Sequence, residues 1–379
     1  MRKLWKVLPP LMADNFGFIE TVRQTDGIGI IDDCGEYRLG SERRRGPDIR
    51  VCHTKISSED VVSGTRQKVL DAFFKAQGRY HPRFVLLSAG PCSAMIGTDL
   101  DEAAEEITKE ARIPAIAVKL SGHKTYDEGI SETLYGMAVL LCEEQEVVPN
   151  SVNLLGANTF DWGEEMTERI RGWFEAQGLS VIGNMGGREL AENIRRMPAA
   201  SVNVVLTVSG LKTAKYLHQR FGTPYLVGAP FGEAKCRHLL QGLKEQEQRR
   251  AVKPDFDSSM EEAKVLIIGE QLMANAIRET LIEEYGMERI QVAAFYKLPK
   301  ELAALQDVRI RDEQDAKELL KKDNYKIIFG DPLLHPLALR QVKWVDLPHK
   351  VFSLYGGTQE LPLLFGGQLN EWIKKRGTV

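Results

Sequence analysis

Phe84-Val85-Leu86-Leu87-Ser88-Ala89-Gly90-Pro91-Cys92-Ser93-Ala94-Met95-Ile96-Gly97-Thr98-Asp99-Leu100 is the stretch that decides the fold. Phe84 to Ser88 is a short apolar run, the pattern of a buried strand. It ends in a loop at Gly90-Pro91-Cys92. Acidic, amphipathic sequence follows from Asp99 to Glu110 and predicts a helix. Ile113-Pro114-Ala115-Ile116-Ala117-Val118 then predicts a second strand. Strand, loop, helix, strand is the grammar of a parallel sheet.

The same grammar restarts along the chain. Val152 to Gly156 predicts a strand, with a helix from Gly163 to Gln177. Leu179 to Ile182 predicts another strand, then a glycine-bearing turn and a helix through Arg196. Val202 to Leu206 leads into a helix from Leu211 to Phe221. Val265 to Gly269 leads into a helix from Glu270 to Tyr285, and Tyr325 to Gly330 is a later strand. The charged stretch from Gly242 to Glu262 reads as a linker, and 122–150 as a junction carrying a helix. The expected fold class is therefore α/β: three Rossmann-like units, each a doubly wound parallel sheet, over residues 1–150, 151–255 and 256–345. The tail, 346–379, is expected to pack back across them. Such sheets bind ligands in loops after the carboxyl ends of their strands, and Cys92 sits in a loop of that kind.

Composition narrows the function. The chain has 379 residues, a net charge of -3 and 43% hydrophobic residues. That is enough apolar material for two or three cores. The charge balance gives no sign of nucleic-acid binding. No apolar run reaches about 18 residues, so no membrane span is expected. The opening Met1 to Pro10 has too short an apolar part for a signal peptide, and a cytoplasmic location is expected. Arg43-Arg44-Arg45 reads as a solvated loop, with a docking or anion site as the alternative. The glycines of Gly183-Asn184-Met185-Gly186-Gly187 and Gly269 do not form GxGxxG and read as tight turns. There is no GxxxxGK(S/T), so the chain is not itself a P-loop ATPase.

Five cysteines in a long chain of this kind argue against a disulfide framework. Buried thiols, a nucleophile and metal ligands remain open. Cys34, in Gly29-Ile30-Ile31-Asp32-Asp33-Cys34-Gly35, and Cys92 both fall where a predicted strand runs into a turn. They can converge, and small neighbours leave room for an inorganic cluster. As a nucleophile, either could draw on His123 and Asp127. Cys52, beside His53, reads as a packed strand residue or a ligand. It precedes Ser57-Ser58-Glu59-Asp60, a helix start with Ser58 as the expected cap. Cys142 reads as core, and Cys236 as a helix-face residue or a pocket wall. The seven histidines form no HExxH or HxH pattern, so zinc hydrolase chemistry has little support. His81 and His218 read as surface or capping residues; His349, in a tail loop, is the one singled out.

The segment around Cys92 resembles the TTCPAEMIGDDI stretch of nitrogenase component 1 and its relatives. Ile56 to Gly64 resembles the EKDVVFGG stretch that precedes it there. Ile30-Ile31-Asp32-Asp33-Cys34 occupies the place of HGPVGC. Phe221 to Tyr225 with Gly228 to Gly232 resembles the family's fGiPy and PiG segment, and Leu347-Pro348-His349 through Gly367 its C-terminal segment. The order is preserved over nearly the whole chain.

The resemblance implies three Rossmann-like units around a central cleft. It implies a homodimer, or a heterodimer with a homologous subunit, and a separate ATP-dependent P-loop iron–sulfur reductase as electron donor. It implies an iron–sulfur cluster of the 4Fe-4S type shared between subunits, with Cys34 and Cys92 matching two ligand positions. The family's first cluster cysteine should fall near residues 8–14 and is missing. Remaining ligands are then the partner's, or Cys52 or Asp14. The cysteine for the nitrogenase cofactor should lie near Leu206 to Ser209 and its histidine near Phe352 to Tyr355; neither is present. What remains is the branch that reduces an organic substrate such as a tetrapyrrole, with His123, Asp127 and His349 as candidate proton donors. The alternative is a non-catalytic scaffold for assembly of a metal cofactor.

Overall fold

A computed structural model describes residues 6–35, 50–185, 189–245, 264–322, 324–352, 362 and 364–376. The Arg43–Arg45 run, Gly186-Gly187 and most of the expected linker lie outside the described residues. The chain divides into two compact units. One comprises Met12–Val147 with Ile182–Ala199, the other Met1–Leu11, Val148–Val181 and Ala200–Val379.

The first unit opens with α1 (Asp14–Val22) and β1 (Ile28–Asp32), then β2 (Val51–His53), α2 (Ser58–Ser63) and α3 (Arg66–Tyr80). It continues with β3 (Val85–Ala89), α4 (Pro91–Ile96), α5 (Asp101–Ala111), β4 (Ala115–Val118) and α6 (Tyr126–Leu141). The sheet order is β2-β1-β3-β4, all parallel. From β1 the chain winds first to one side and then, through β3, to the other. The switch point therefore lies between β1 and β3. Their carboxyl ends, Asp32 and Ala89, are register partners. Val69, Leu70 and Phe73 of α3 and Ala103, Ala104 and Ile107 of α5 pack on Ile28, Ile30, Val85 and Leu87 of the strands. On α1 and α6, Gly17 and Gly129 let the two backbones meet: a Cβ at either would overlap a carbonyl of the other helix.

The start of α2 corrects one expectation. The cap is Ser57, not Ser58, and Ser57 forms a capping box with Asp60. The loop expected at Cys92 is also shorter than the sequence suggests. Pro91 is the first residue of α4 and Cys92 lies in its first turn, because Pro supplies helical φ where no N–H is needed.

The remaining strands form two further sheets. One has the order β6-β5-β7-β8, from β5 (Val148–Leu155), β6 (Ser180–Asn184), β7 (Ala200–Val205) and β8 (Tyr225–Val227). Its helices are α7 (Glu164–Ala176), α9 (Val208–Phe221) and α10 (Glu233–Glu245), while α8 (Leu190–Arg196) belongs to the first unit. The other sheet has the order β11-β10-β9-β12-β13. It comprises β9 (Val265–Ile268), β10 (Ile290–Ala294), β11 (Val308–Arg309), β12 (Ile327–Gly330) and β13 (Lys343–Asp346), with α11 (Gln271–Tyr285) and α12 (Glu313–Leu320). Switch points fall between β5 and β7 and between β9 and β12. The tail helix α13 (Gln368–Lys375) buries Leu369, Trp372 and Ile373 in the core of this unit. The structure is thus α/β, with three largely parallel, doubly wound sheets.

Candidate functional site

Cys34 follows β1 and Cys92 follows β3, so both stand at the switch point of the first sheet. Their Sγ atoms lie 2.7 Å apart. Cys34 is exposed and Cys92 half-buried, and both are free thiols. Asp33 joins them: its carboxylate accepts the backbone N–H of Cys92 at 2.9 Å. Asp33, Cys34 and Cys92 converge within 4.8 Å as one potential ligand set. Hydrogen bonding to Cys34, and then to Asp33, pushes the Cys92 thiol up to about 11. A metal binding Cys92 must therefore displace its proton.

Beneath the pair lies Asp32, fully buried. It accepts hydrogen bonds from the hydroxyls of Thr54 at 2.8 Å and of Thr65 and Ser93 at 2.7 Å each. Sequence reading passes over both aspartates. The available signal is two consecutive carboxylates at a strand's carboxyl end, next to a cysteine.

The other expected residues are placed elsewhere. Cys52 pairs in register with Ile30 and packs against the same core. Burial raises its thiol pKa, and it is not part of the Cys34 group. Asp14 is buried at the start of α1, accepting the N–H groups of Asn15 at 3.0 Å and Ser121 at 3.1 Å. Burial raises its pKa against those bonds. His123 is exposed in the loop before α6, and Asp127 is buried in that helix's first turn. Neither joins the cysteine pair. Cys142 caps α6 and donates to the Ile194 carbonyl, and burial pushes it up to about 12. Cys236 lies on α10, where burial pushes it up to about 11.

His349 lies in a buried network of the second unit. Its Nδ1 accepts the backbone N–H of Val351 at 3.2 Å, so the proton is on Nε2, 2.9 Å from Asp161 Oδ1. The Tyr296 hydroxyl is 3.2 Å from Nδ1, and Asn158 donates to the other Asp161 oxygen at 2.6 Å. Asp331 accepts the His349 backbone N–H at 2.8 Å. A cavity beside this network is lined by Asp161, Trp162, Met166, Phe231, Met273 and Leu347, among others. Asp161 and Tyr296 are not singled out by the sequence. A further convergence, His238 with Glu279 and Glu283, is bound up with Lys235 and Arg237 in an ion-pair network on α10 and α11. No described helix is long and apolar enough to cross a membrane.

The chain is similar to several known proteins. The nitrogenase iron-molybdenum cofactor biosynthesis protein NifE of Rippkaea orientalis is 26% identical over 297 residues, covering 74% of this chain and 61% of that protein. The nitrogenase molybdenum-iron protein alpha chain of Methanothermobacter marburgensis is 26% identical over 203 residues, covering 51% and 42%. A light-independent protochlorophyllide reductase polypeptide of Nostoc punctiforme is 21% identical over 290 residues, covering 67% and 57%. This chain thus spans between 42% and 61% of the length of these relatives. A solved structure of nitrogenase Cp1 at pH 6.5 superposes with a TM-score of 0.72 over 99% of this chain and 94% of that one, at 14% identity; that likeness speaks to the fold. The model of the nitrogenase component 1 type oxidoreductases matches residues 34–341, and the chain belongs to that family.

Proposed function

We propose that this chain is the catalytic component of a nitrogenase-like two-component reductase. Cys34 and Cys92 hold one half of an iron–sulfur cluster of the 4Fe-4S type, and a second subunit, identical or homologous, supplies the other half. An ATP-dependent P-loop iron–sulfur reductase is the electron donor. The substrate is organic and of the tetrapyrrole class.

The observation that carries this reading is the pair of close free thiols, one exposed and one half-buried, at the switch point between β1 and β3. The donor set fits a soft metal centre, because thiolate is the usual protein ligand for iron–sulfur clusters. Each thiolate of a 4Fe-4S cluster takes its own iron, so the two sulfurs, 2.7 Å apart here, would have to part to hold it. Exposed Cys34 can turn, since Gly35 beside it has open space around it. Two ligands make half a set, which suits completion across a subunit boundary. Val62 and Met95, on α2 and α4, are 89% and 80% exposed, apolar surface of the kind a partner covers.

When bound, the cluster would supply single electrons to the substrate. The chain's own task is then to place a proton. Of the three candidate donors, His349 is the best held, with Nε2–H fixed by Asp161 and Nδ1 by Val351.

A second reading is favoured by the relatives named as cofactor-biosynthesis proteins: a scaffold whose ligand leaves unchanged. Anaerobic purification tests the first reading. It expects comparable iron and sulfide, both lost in Cys34→Ser and Cys92→Ser; an iron-free wild-type protein refutes it. Turnover with a reductase, ATP and dithionite separates the two, since a scaffold yields no reduced product.

A further inference from the structure

Asp32 ends the central strand β1 and is fully buried. A carboxylate in that position is costly unless its lone pairs are occupied. Three hydroxyls occupy them, each from a different segment. Thr54 follows β2, Thr65 caps α3, and Ser93 is in the first turn of α4. The oxygen–oxygen distances, 2.7 to 2.8 Å, are those of well-formed O–H···O hydrogen bonds. The Thr65 hydroxyl also lies 3.4 Å from that of Thr98, just past α4.

The placement of these bonds relative to the thiols is what matters. Cys34 is two residues beyond Asp32, and Cys92 is the residue before Ser93. The Asp32–Ser93 bond is therefore a staple between the two cysteine-bearing segments, the end of β1 and the first turn of α4. Backbone bonds reinforce it: Gly90 N–H donates to the Asp32 carbonyl at 2.9 Å, and Thr54 N–H to Ile31 at 3.1 Å. Without the carboxylate, three buried hydroxyls lose their common acceptor. The start of α4 is then no longer fixed to the end of β1.

We infer that Asp32, with Ser93 and Thr54, is a positioning residue that sets the separation of Cys34 and Cys92. The inference rests on reading that pair as a shared ligand site. It concerns the thiols themselves, so it is testable without a cluster.

Phenylarsine oxide is the probe. It condenses with two neighbouring thiols, forming two As–S bonds and releasing water, with no oxidation. The full-length chain, reduced and free of iron, is expected to take up one equivalent, and Cys34→Ser or Cys92→Ser to abolish it. Ser93→Ala should weaken uptake by roughly 10–100-fold, the range for loss of an orienting partner. Ser93→Thr should restore it, and Asp32→Asn should weaken it as well. Thermal melting accompanies each variant; should Asp32→Asn fail to fold, Ser93→Ala and Ser93→Thr carry the test. Wild-type uptake unaffected by Ser93→Ala, or absent altogether, overturns the inference. A protein that captures the arsenical in this Asp32-dependent way yet binds no iron on anaerobic reconstitution would refute the cluster reading alone.

Discussion

Glu313→Gln would release the start of the chain, and by how much can be worked from the geometry. Glu313 opens α12, and its Oε2 accepts the backbone N–H groups of Lys6, Val7 and Leu8 at 2.8, 2.7 and 2.9 Å. Its other oxygen pairs with Lys317. The Glu313 side chain is 4% exposed. Burial alone would raise the carboxyl pKa, but Lys317 and the three N–H donors overcome it and bring it from 4.5 to about 2. That gap caps the carboxylate's contribution at about 3 kcal/mol. The folded value lies below the unfolded one. The contribution is therefore complete above about pH 4.5 and is lost as the pH falls toward about 2. Glutamine keeps one carbonyl acceptor, so a loss of about 1–3 kcal/mol is expected, charged-group bonds being the stronger ones. A global melt would mix the transitions of two units. Hydrogen exchange at the amides of residues 6–8 reads the contact locally. At neutral pH those amides should exchange roughly 10–100-fold faster in Glu313→Gln than in wild type, at about 1.4 kcal/mol per decade. The gap should narrow below about pH 4. Equal rates at neutral pH, or a gap indifferent to acid, would refute the reasoning.

Arg278 is fully buried and bonds Asp307 at 2.7 and 3.0 Å; Asp307→Ala should cost about 3–5 kcal/mol by stranding that charge, and a melting temperature within a degree of wild type would count against it. Gly129→Ala should destabilise strongly, because its Cβ would overlap the Asp14 carbonyl. Gly172→Ala on α7, with open space around it, should raise stability by about 0.5–1 kcal/mol; melting of the two variants side by side checks the contrast. His349→Ala and Asp161→Asn should leave anaerobic iron content unchanged while lowering turnover, and a loss of iron in either would detach the network from proton delivery.

The strands are legible because parallel strands buried on both faces read as short apolar runs, and β3, β5, β7 and β9 each carry one. Register is not legible. Alternation alone cannot say which face Cys52 takes; pairing with Ile30 turns it toward the α3 core. Short α4 reads as a loop, since six residues give no helical period. Cys34 and Cys92 stand out by their places at strand ends, with the family pattern around them. Their supporting carboxylates do not, because Asp32 acts through hydroxyls 22, 33 and 61 residues away. Likewise His349 can be singled out, but Asp161 lies 188 residues from it in sequence, and no local pattern joins them.

The carboxylates bear on what this fold can bind. In doubly wound sheets the switch points, with their helix N-termini, attract phosphate. Here the chain fills those positions itself. Glu270 accepts the N–H of Val208, opening α9, and of Met273 in α11, both at 2.9 Å. Asp331 accepts Leu333 N–H at 3.0 Å and His349 N–H at 2.8 Å. Asp33 takes the N–H of Cys92 in α4. A nucleotide phosphate would have to displace a buried, already bonded carboxylate and face its charge. The same negative charges favour cations and protons, and two of these positions adjoin the thiol pair and the His349 network. Carboxylates already bonded at these switch points thus leave little place for a phosphate there, which accords with the proposal that a separate reductase binds ATP.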